Sequence, residues 1–205
     1  MIKTFSSRAG RLSETNKKYL ASQADCVLKI GEEPNTQLPK VLDIGFGDAQ
    51  SFSEDVLSNK NFCFIGIEPY KKGYARALEF FDLNKPKNLY LFNGDVREFL
   101  DKMSFKAEFV RIHFPDPWPK KKHKKRRLIS KEFLTLLHEN ISPIGKIEIL
   151  TDSFIYQKHI DETLKKQKLF QAVKEFEISF SVSTFHKKGL EKGHKIKRYI
   201  PVSYT

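Results

Sequence analysis

The sequence predicts an α/β fold in which a mostly parallel sheet is covered by helices on both faces. Three observations carry that reading. Short apolar runs alternate with stretches of helical length along most of the chain. The runs are apolar throughout and not only at every second position, as strands buried on both faces require. Finally, 40% hydrophobic residues and 18 Phe give 205 residues the means to bury one sizeable core, which excludes a disordered polypeptide.

The elements follow in order. Ser13-Glu14-Thr15-Asn16 forms a cap before a helix through Tyr19, Leu20, Ala24 and Val27, and residues 31–39 form a linker. Val41-Leu42-Asp43-Ile44 is the first strand, followed by a helix over 49–58. Phe62-Cys63-Phe64-Ile65-Gly66-Ile67 is the second, followed by a helix over 72–81. Leu89-Tyr90-Leu91-Phe92 and a short helix over 96–102 come next, then a strand over 109–114. A helix over 130–139, a strand over 146–150, a helix over 154–166 and a strand over 176–182 continue the alternation. A last strand over 195–200 follows a basic turn. No internal repeat interrupts this order.

Lys and Arg number 37 against 25 Asp and Glu, a net charge of +12. Position says more than the total. Lys120-Lys121-Lys122-His123-Lys124-Lys125-Arg126-Arg127 holds seven formal positive charges with no acid among them. Such a block repels itself unless a polyanion neutralises it, which points to nucleic acid. No apolar run approaches the roughly 18 residues of a membrane span, and Met1-Ile2-Lys3-Thr4-Phe5 does not lead into a signal-peptide core. The expected place is the cytoplasm. Cys26 and Cys63 have no metal-ligand or disulfide pattern around them and read as buried thiols, with no metal expected.

Ligands of such sheets bind at the carboxyl ends of the strands. The first strand ends Asp43-Ile44-Gly45-Phe46-Gly47-Asp48-Ala49, a turn that lets the backbone approach a ligand. A dinucleotide fingerprint would need a third glycine at Gln50, so pyrophosphate is disfavoured. Glu68 ends the second strand about 20 residues on, where a carboxylate accepts from both hydroxyls of a ribose. Asp95, before Val96 at the end of the third, can reach an adenine amino group. Three acids on three successive strand ends fit a nucleoside. The fourth strand ends His113-Phe114-Pro115-Asp116-Pro117-Trp118-Pro119-Lys120. Prolines on both sides of Asp116 fix the backbone and present the carboxylate and the indole rigidly. The carboxylate suits the N1–H and N2 amine of a guanine, with aromatic or proline surface over the base.

These strand ends resemble those of class I methyltransferases, which bind S-adenosylmethionine. That resemblance implies a Rossmann-like fold with a mostly parallel seven-stranded sheet, Asp43, Gly45 and Gly47 under the methionine part, Glu68 on the ribose, and Asp95 with Val96 beside the adenine. Phe114-Pro115-Asp116-Pro117-Trp118, Lys120 and residues 123–127 then resemble the bacterial tRNA (guanine-N7-)-methyltransferase family. The likeness extends to Phe5 with Arg8-Ala9-Gly10-Arg11-Leu12, to Leu150-Thr151-Asp152, to Ser183-Thr184-Phe185-His186-Lys187-Lys188-Gly189 and to Gly193-His194. It implies transfer of a methyl group to N7 of a guanosine in the tRNA variable loop (position 46). Asp116 would be the catalytic residue, and Lys120, Asp152, Ser183, Thr184, Phe185 and His186 would meet the substrate. Lys122, His123, Lys124, Lys125, Arg126 and Arg127 would hold RNA. Residues 1–30 would be an arm before a methyltransferase domain over 31–205, in a monomer or weak homodimer. The chain departs from the family at Asp43 and Ala49, where Glu and Gly are usual, at Ser183 for Thr, at His186 for Glu and at Lys188 for Arg. The His186 replacement leaves an alternative, a non-catalytic RNA-binding protein on the same fold.

Overall fold

A computed structural model describes residues 2–6, 10–176 and 178–203. Its parallel strands are β1 (Lys40–Ile44), β2 (Cys63–Ile67), β3 (Leu89–Phe92), β4 (Ala107–His113) and β5 (Ile141–Thr151). They alternate with α2 (Gln50–Ser58), α3 (Lys71–Asn84), α4 (Val96–Asp101) and α5 (Lys131–Asn140), after an N-terminal α1 (Glu14–Ala21). Beyond β5 come α6 (Phe154–Lys165), β6 (Phe170–Ala172), α7 (Thr184–Glu191), β7 (Lys197–Tyr199) and β8 (Pro201–Ser203), and a 3₁₀ helix spans Lys121–Arg126.

The strand order is β3-β2-β1-β4-β5-β8-β6, with β7 also on β5. β3 through β5 run parallel, whereas β7, β8 and β6 pair antiparallel. The order reverses between β1 and β4, which opens a crevice at their carboxyl ends. Both faces of the strands are apolar because both are covered. On one face Val41, Phe64, Leu89 and Leu91 meet Phe52 and Val56 of α2 and Tyr74 and Leu78 of α3. On the other, Leu42, Ile65, Val110 and Ile147 meet Phe99 of α4, Leu134 of α5 and Tyr156 of α6.

Four expectations are corrected. The last strand is two, β7 and β8, broken at Ile200, so among the described residues the sheet has eight strands in place of seven. The N-terminal helix ends at Ala21, because Ser22 turns extended and its hydroxyl donates to Tyr19 O. Leu28 then donates its amide to Leu91 O, while Leu91 donates to Cys26 O, so the chain runs along β3. The strand expected over 176–182 is absent at its described residues. Ile178, Phe176 and Phe180 are held by their side chains against the core, and the strand lies earlier, at Phe170–Ala172. Helix α7 is not among the elements expected from sequence, although Ser183 caps it by accepting from His186 N at 3.2 Å. Cys26 and Cys63 are free and buried, and burial pushes each thiol up to about 12.

Candidate functional site

The crevice at the β1–β4 reversal is a cleft. Gly45 and Gly47, at φ +77° and +69°, carry the chain out of β1, and no atom lies within 4 Å of where a Cβ would sit on either. The turn therefore presents bare backbone to the cleft. Its shape is held from behind. Gly45 N donates to Ile67 O, and Gly47 N donates to Glu68 Oε2 at 2.8 Å. α3 packs so closely that a Cβ on Gly73 would fall 1.8 Å from Gly47 O.

Glu68 is 2% exposed, and its other oxygen accepts from Tyr70 N at 2.8 Å. Burial pushes its carboxyl up to about 7, with Asp43 and Asp116 adding to the rise, against the pull of the Tyr70 and Gly47 amides. Its position in the cleft wall leaves room for further donors, since a carboxylate offers about four lone-pair sites. Asp95 also lines the cleft, and both its oxygens are engaged. Oδ1 caps α4 by accepting from Arg97 N at 3.0 Å, and Arg97 Nη2 reaches Oδ2 at 2.5 Å. Val96 begins α4 in the same wall. Asp43 is buried and ion-paired with Arg111, so its charge is already met within the protein.

The opposite wall comes from the segment after β4. Phe114 N donates to Leu150 O, after which Phe114 and Trp118 adopt left-handed φ of +51° and +42°. Each costs of order 1–3 kcal/mol for a non-glycine residue, a strain that needs surrounding contacts to hold it. Those contacts come from far away in the chain. Asp116 Oδ2 accepts from Ser6 N at 3.0 Å and from the Tyr70 hydroxyl at 3.4 Å. Burial and Asp116 push the Tyr70 phenol up to about 12, so it stays a donor. Trp118 Nε1 donates to Thr4 O at 2.7 Å, and Arg126 lies 4.7 Å over the indole. The indole is thus a strut between the N-terminal segment and the 3₁₀ helix. The aromatic rings in the cleft wall belong instead to Phe5, Phe46, Tyr70, Phe114 and Phe185.

The basic block forms the 3₁₀ helix, and Lys121, Lys122, Lys124 and Lys125 line a second hollow with Arg97 and Ile2. Arg127 is the most enclosed cation of the block. It is 7% exposed, its guanidinium donates to Pro117 O at 3.0 Å and to Trp118 O, and it lies over the Tyr156 ring. These bonds to loop carbonyls brace the segment carrying Asp116, while Arg127 also lines the hollow beside the four lysines. His123 meets the Trp118 edge, and Lys120 caps the helix outside the cleft.

Ser183, Thr184 and Phe185 reach the cleft, and the Thr184 hydroxyl donates to Asp48 Oδ2 of the glycine turn at 3.1 Å. His186 stands behind them with its ring against Phe114. Asp152 is not brought into the cleft wall; its carboxylate faces His194 Nδ1 at 2.7 Å. Arg8 and Ala9 lie outside the described residues. Sequence reasoning missed Tyr70, Ser6, Arg111 and Asp48, whose partners are up to 136 residues away. Among the described residues no helix is long and apolar enough to cross a membrane, and no three His, Cys, Asp or Glu side chains gather as a metal site.

Comparison with known proteins agrees with this geometry. Residues 37–199 match the family model described as "Putative methyltransferase". A tRNA (guanine-N(7)-)-methyltransferase of Wolbachia pipientis wMel is 36% identical over 171 residues, covering 82% of this chain and 76% of that protein. The enzyme of that name from Neorickettsia sennetsu is 30% identical over 203 residues, covering 95% and 89%. Among solved structures, the aminoglycoside resistance methyltransferase NpmB1 superposes with a TM-score of 0.59 at 13% identity, covering 82% of this chain and 89% of its own. An rRNA methylase from Streptococcus thermophilus gives 0.56 at 7%, covering 82% and 88%. At such identities these two establish the fold alone, a class I methyltransferase fold. The sequence matches over nearly the whole length go further: the chain belongs to the tRNA (guanine-N(7)-)-methyltransferase family.

Proposed function

We propose that the protein transfers a methyl group from S-adenosylmethionine to N7 of a guanosine in the tRNA variable loop, position 46. The observation that carries this reading is a shared cleft. The glycine turn and buried Glu68 form one wall, and Asp116, tethered from distant parts of the chain, forms the other.

The residues fit the cofactor. Open space over Gly45 and Gly47 suits a chain laid along bare backbone, and buried Glu68 suits a ribose diol. When bound, S-adenosylmethionine supplies a methyl group on a sulfonium, and the transfer leaves a neutral thioether and a positively charged purine. Guanine N7 carries an in-plane lone pair and no proton, so no residue here has to act as a base. The work of the chain is positioning. Asp116 accepts from the guanine N1–H and N2 amine and stabilises the charge that develops on the ring in a partly enclosed site. Phe114, Tyr70 and Phe185 cover the base and exclude water. Lys121, Lys122, Lys124 and Lys125 hold phosphates with little reading of sequence, which leaves the shape of the loop to select the site. Residues 31–205 form the methyltransferase domain, and the arm over 1–30 contributes Thr4, Phe5 and Ser6 to the site.

Incubation with isotope-labelled S-adenosylmethionine and bulk tRNA, followed by nuclease digestion and mass spectrometry, tests the reading. Label in 7-methylguanosine is the expected outcome. Cofactor binding without transfer would favour an RNA-binding protein on this fold.

A further inference from the structure

Arg111 projects from β4 into the molecule with almost no access to water, as do Asp43 of β1 and Asp55 of α2. Its guanidinium pairs with both carboxylates, Nη2 on Asp43 and Nη1 on Asp55. Burial alone would disfavour the guanidinium charge, but the two carboxylates outweigh it and raise its pKa. One cation between two buried acids leaves a surplus negative charge, and buried charge needs further donors. The missing donor comes from the segment before α7. Ser181 N donates to Asp55 Oδ1 at 2.6 Å, across 126 residues of sequence. Phe180 lies 4.4 Å from the guanidinium and closes its face, with its ring edge-on to His113 at 5.9 Å.

Apart from the packing of Phe176, Ile178 and Phe180 against the core, that segment has no regular backbone pairing at its described residues. Val173 N donates to Ile200 O, but between there and Ser183 the described residues join no strand. Two residues after Ser181 the chain caps α7 and places Ser183, Thr184 and Phe185 in the cleft, with Thr184 on Asp48. Two of the three charged groups lie near strand ends, Asp43 two residues before Gly45 and Arg111 two before His113, and Asp55 meets them from α2.

We propose that Asp55 and Arg111 are positioning residues: by binding Ser181 N and the Phe180 face, they seat the start of α7 over the glycine turn and so set the substrate side of the cleft. The inference rests on the function proposed above for its kinetic consequence, though not for the seat itself. A misplacement of the order of 1 Å in a substrate-positioning segment reduces turnover strongly.

Asp55→Asn and Phe180→Leu test it, the second leaving all three charges paired. Each is measured by thermal melting, by calorimetry with S-adenosylhomocysteine, by kcat and KM with tRNA, and by the rate of tryptic cleavage at Lys187 and Lys188. We expect folded variants whose cofactor affinity stays within about threefold, whose kcat/KM for tRNA falls about tenfold or more, and whose α7 is cut faster. Parent-like kcat/KM and cleavage in a folded variant would overturn the proposal. An equal loss of cofactor affinity would also overturn it, moving the role of Asp55 to the glycine turn. If Asp55→Asn fails to fold, Phe180→Leu decides by the same criteria. If the parent itself methylates no tRNA, the proposed function falls, and the tryptic rates alone decide the seat.

Discussion

At the ends of β1 and β2 the groups facing the cleft are held by neighbours. Gly47 N and Tyr70 N each donate to Glu68 at 2.8 Å, from 21 residues before it and two after. At the end of β4 the arrangement is different. Asp116 is held by Ser6, 110 residues away, and by the Tyr70 hydroxyl, while Trp118 is held by Thr4, and the strained Phe114 and Trp118 stand on either side of Asp116. The first region is rigid because the fold makes it so. The second is rigid only while several distant tethers agree, which suits a wall that must admit and release a macromolecule.

If the two regions divide the work as cofactor wall and substrate wall, changes in each should separate cleanly. The largest effect is expected from Asp116→Asn. It keeps the size, removes the charge and turns half of the acceptor pair into a donor facing the base, costing on the order of 3 kcal/mol, or about a hundredfold in turnover. Steady-state kinetics on tRNA read it. Next, Glu68→Ala removes charge-assisted hydrogen bonds to the ribose and should weaken S-adenosylmethionine by about 1.5 to 3 kcal/mol, measured by calorimetry. Unaltered affinity would remove Glu68 from the cofactor wall.

The lysines extend the same contrast outside the cleft. Replacing Lys121, Lys122, Lys124 and Lys125 with Gln should raise KM for tRNA and flatten its salt dependence by roughly 0.7 to 0.9 log units for each phosphate no longer neutralised, with cofactor affinity unchanged. A parent-like salt slope would remove the block as the phosphate site. The smallest effect is a pH dependence. Burial raises the Glu68 carboxyl to about 7, so it is protonated below that pH and ionised above it. Ribose hydroxyls favour the ionised form, so cofactor affinity should fall as pH drops, by about tenfold between pH 8 and pH 6. Glu68→Gln should abolish that slope.

The same division explains what could be read from the sequence. The alternation of apolar runs made the parallel sheet legible through β5, because those strands are buried on both faces. Glu68 and Asp95 were legible because a strand end fixes a side chain locally. Asp116 was legible through its flanking prolines, but its tethers to Ser6 and Tyr70 were not, since nothing local links those positions. The carbonyl partners of Arg127 were not legible for the same reason. Inside a run of exposed cations this arginine looks like its neighbours, and only the fold turns it inward onto Pro117 O and Trp118 O. Near the carboxyl end, residues 176–182 have strand-like composition, yet Phe176 and Phe180 pack together against the core and Asp55 takes the Ser181 amide. Ser183 could have signalled α7, as Ser followed by a helical run is a cap pattern.

The separation of the two walls is tested most directly by titrating S-adenosylhomocysteine calorimetrically into folded Asp116→Asn. If the walls are separate, the dissociation constant stays within about twofold of the parent's, beside the hundredfold loss of turnover on tRNA. A dissociation constant that worsens in proportion to the turnover would contradict that separation, placing Asp116 and the N-terminal tethers in the cofactor wall.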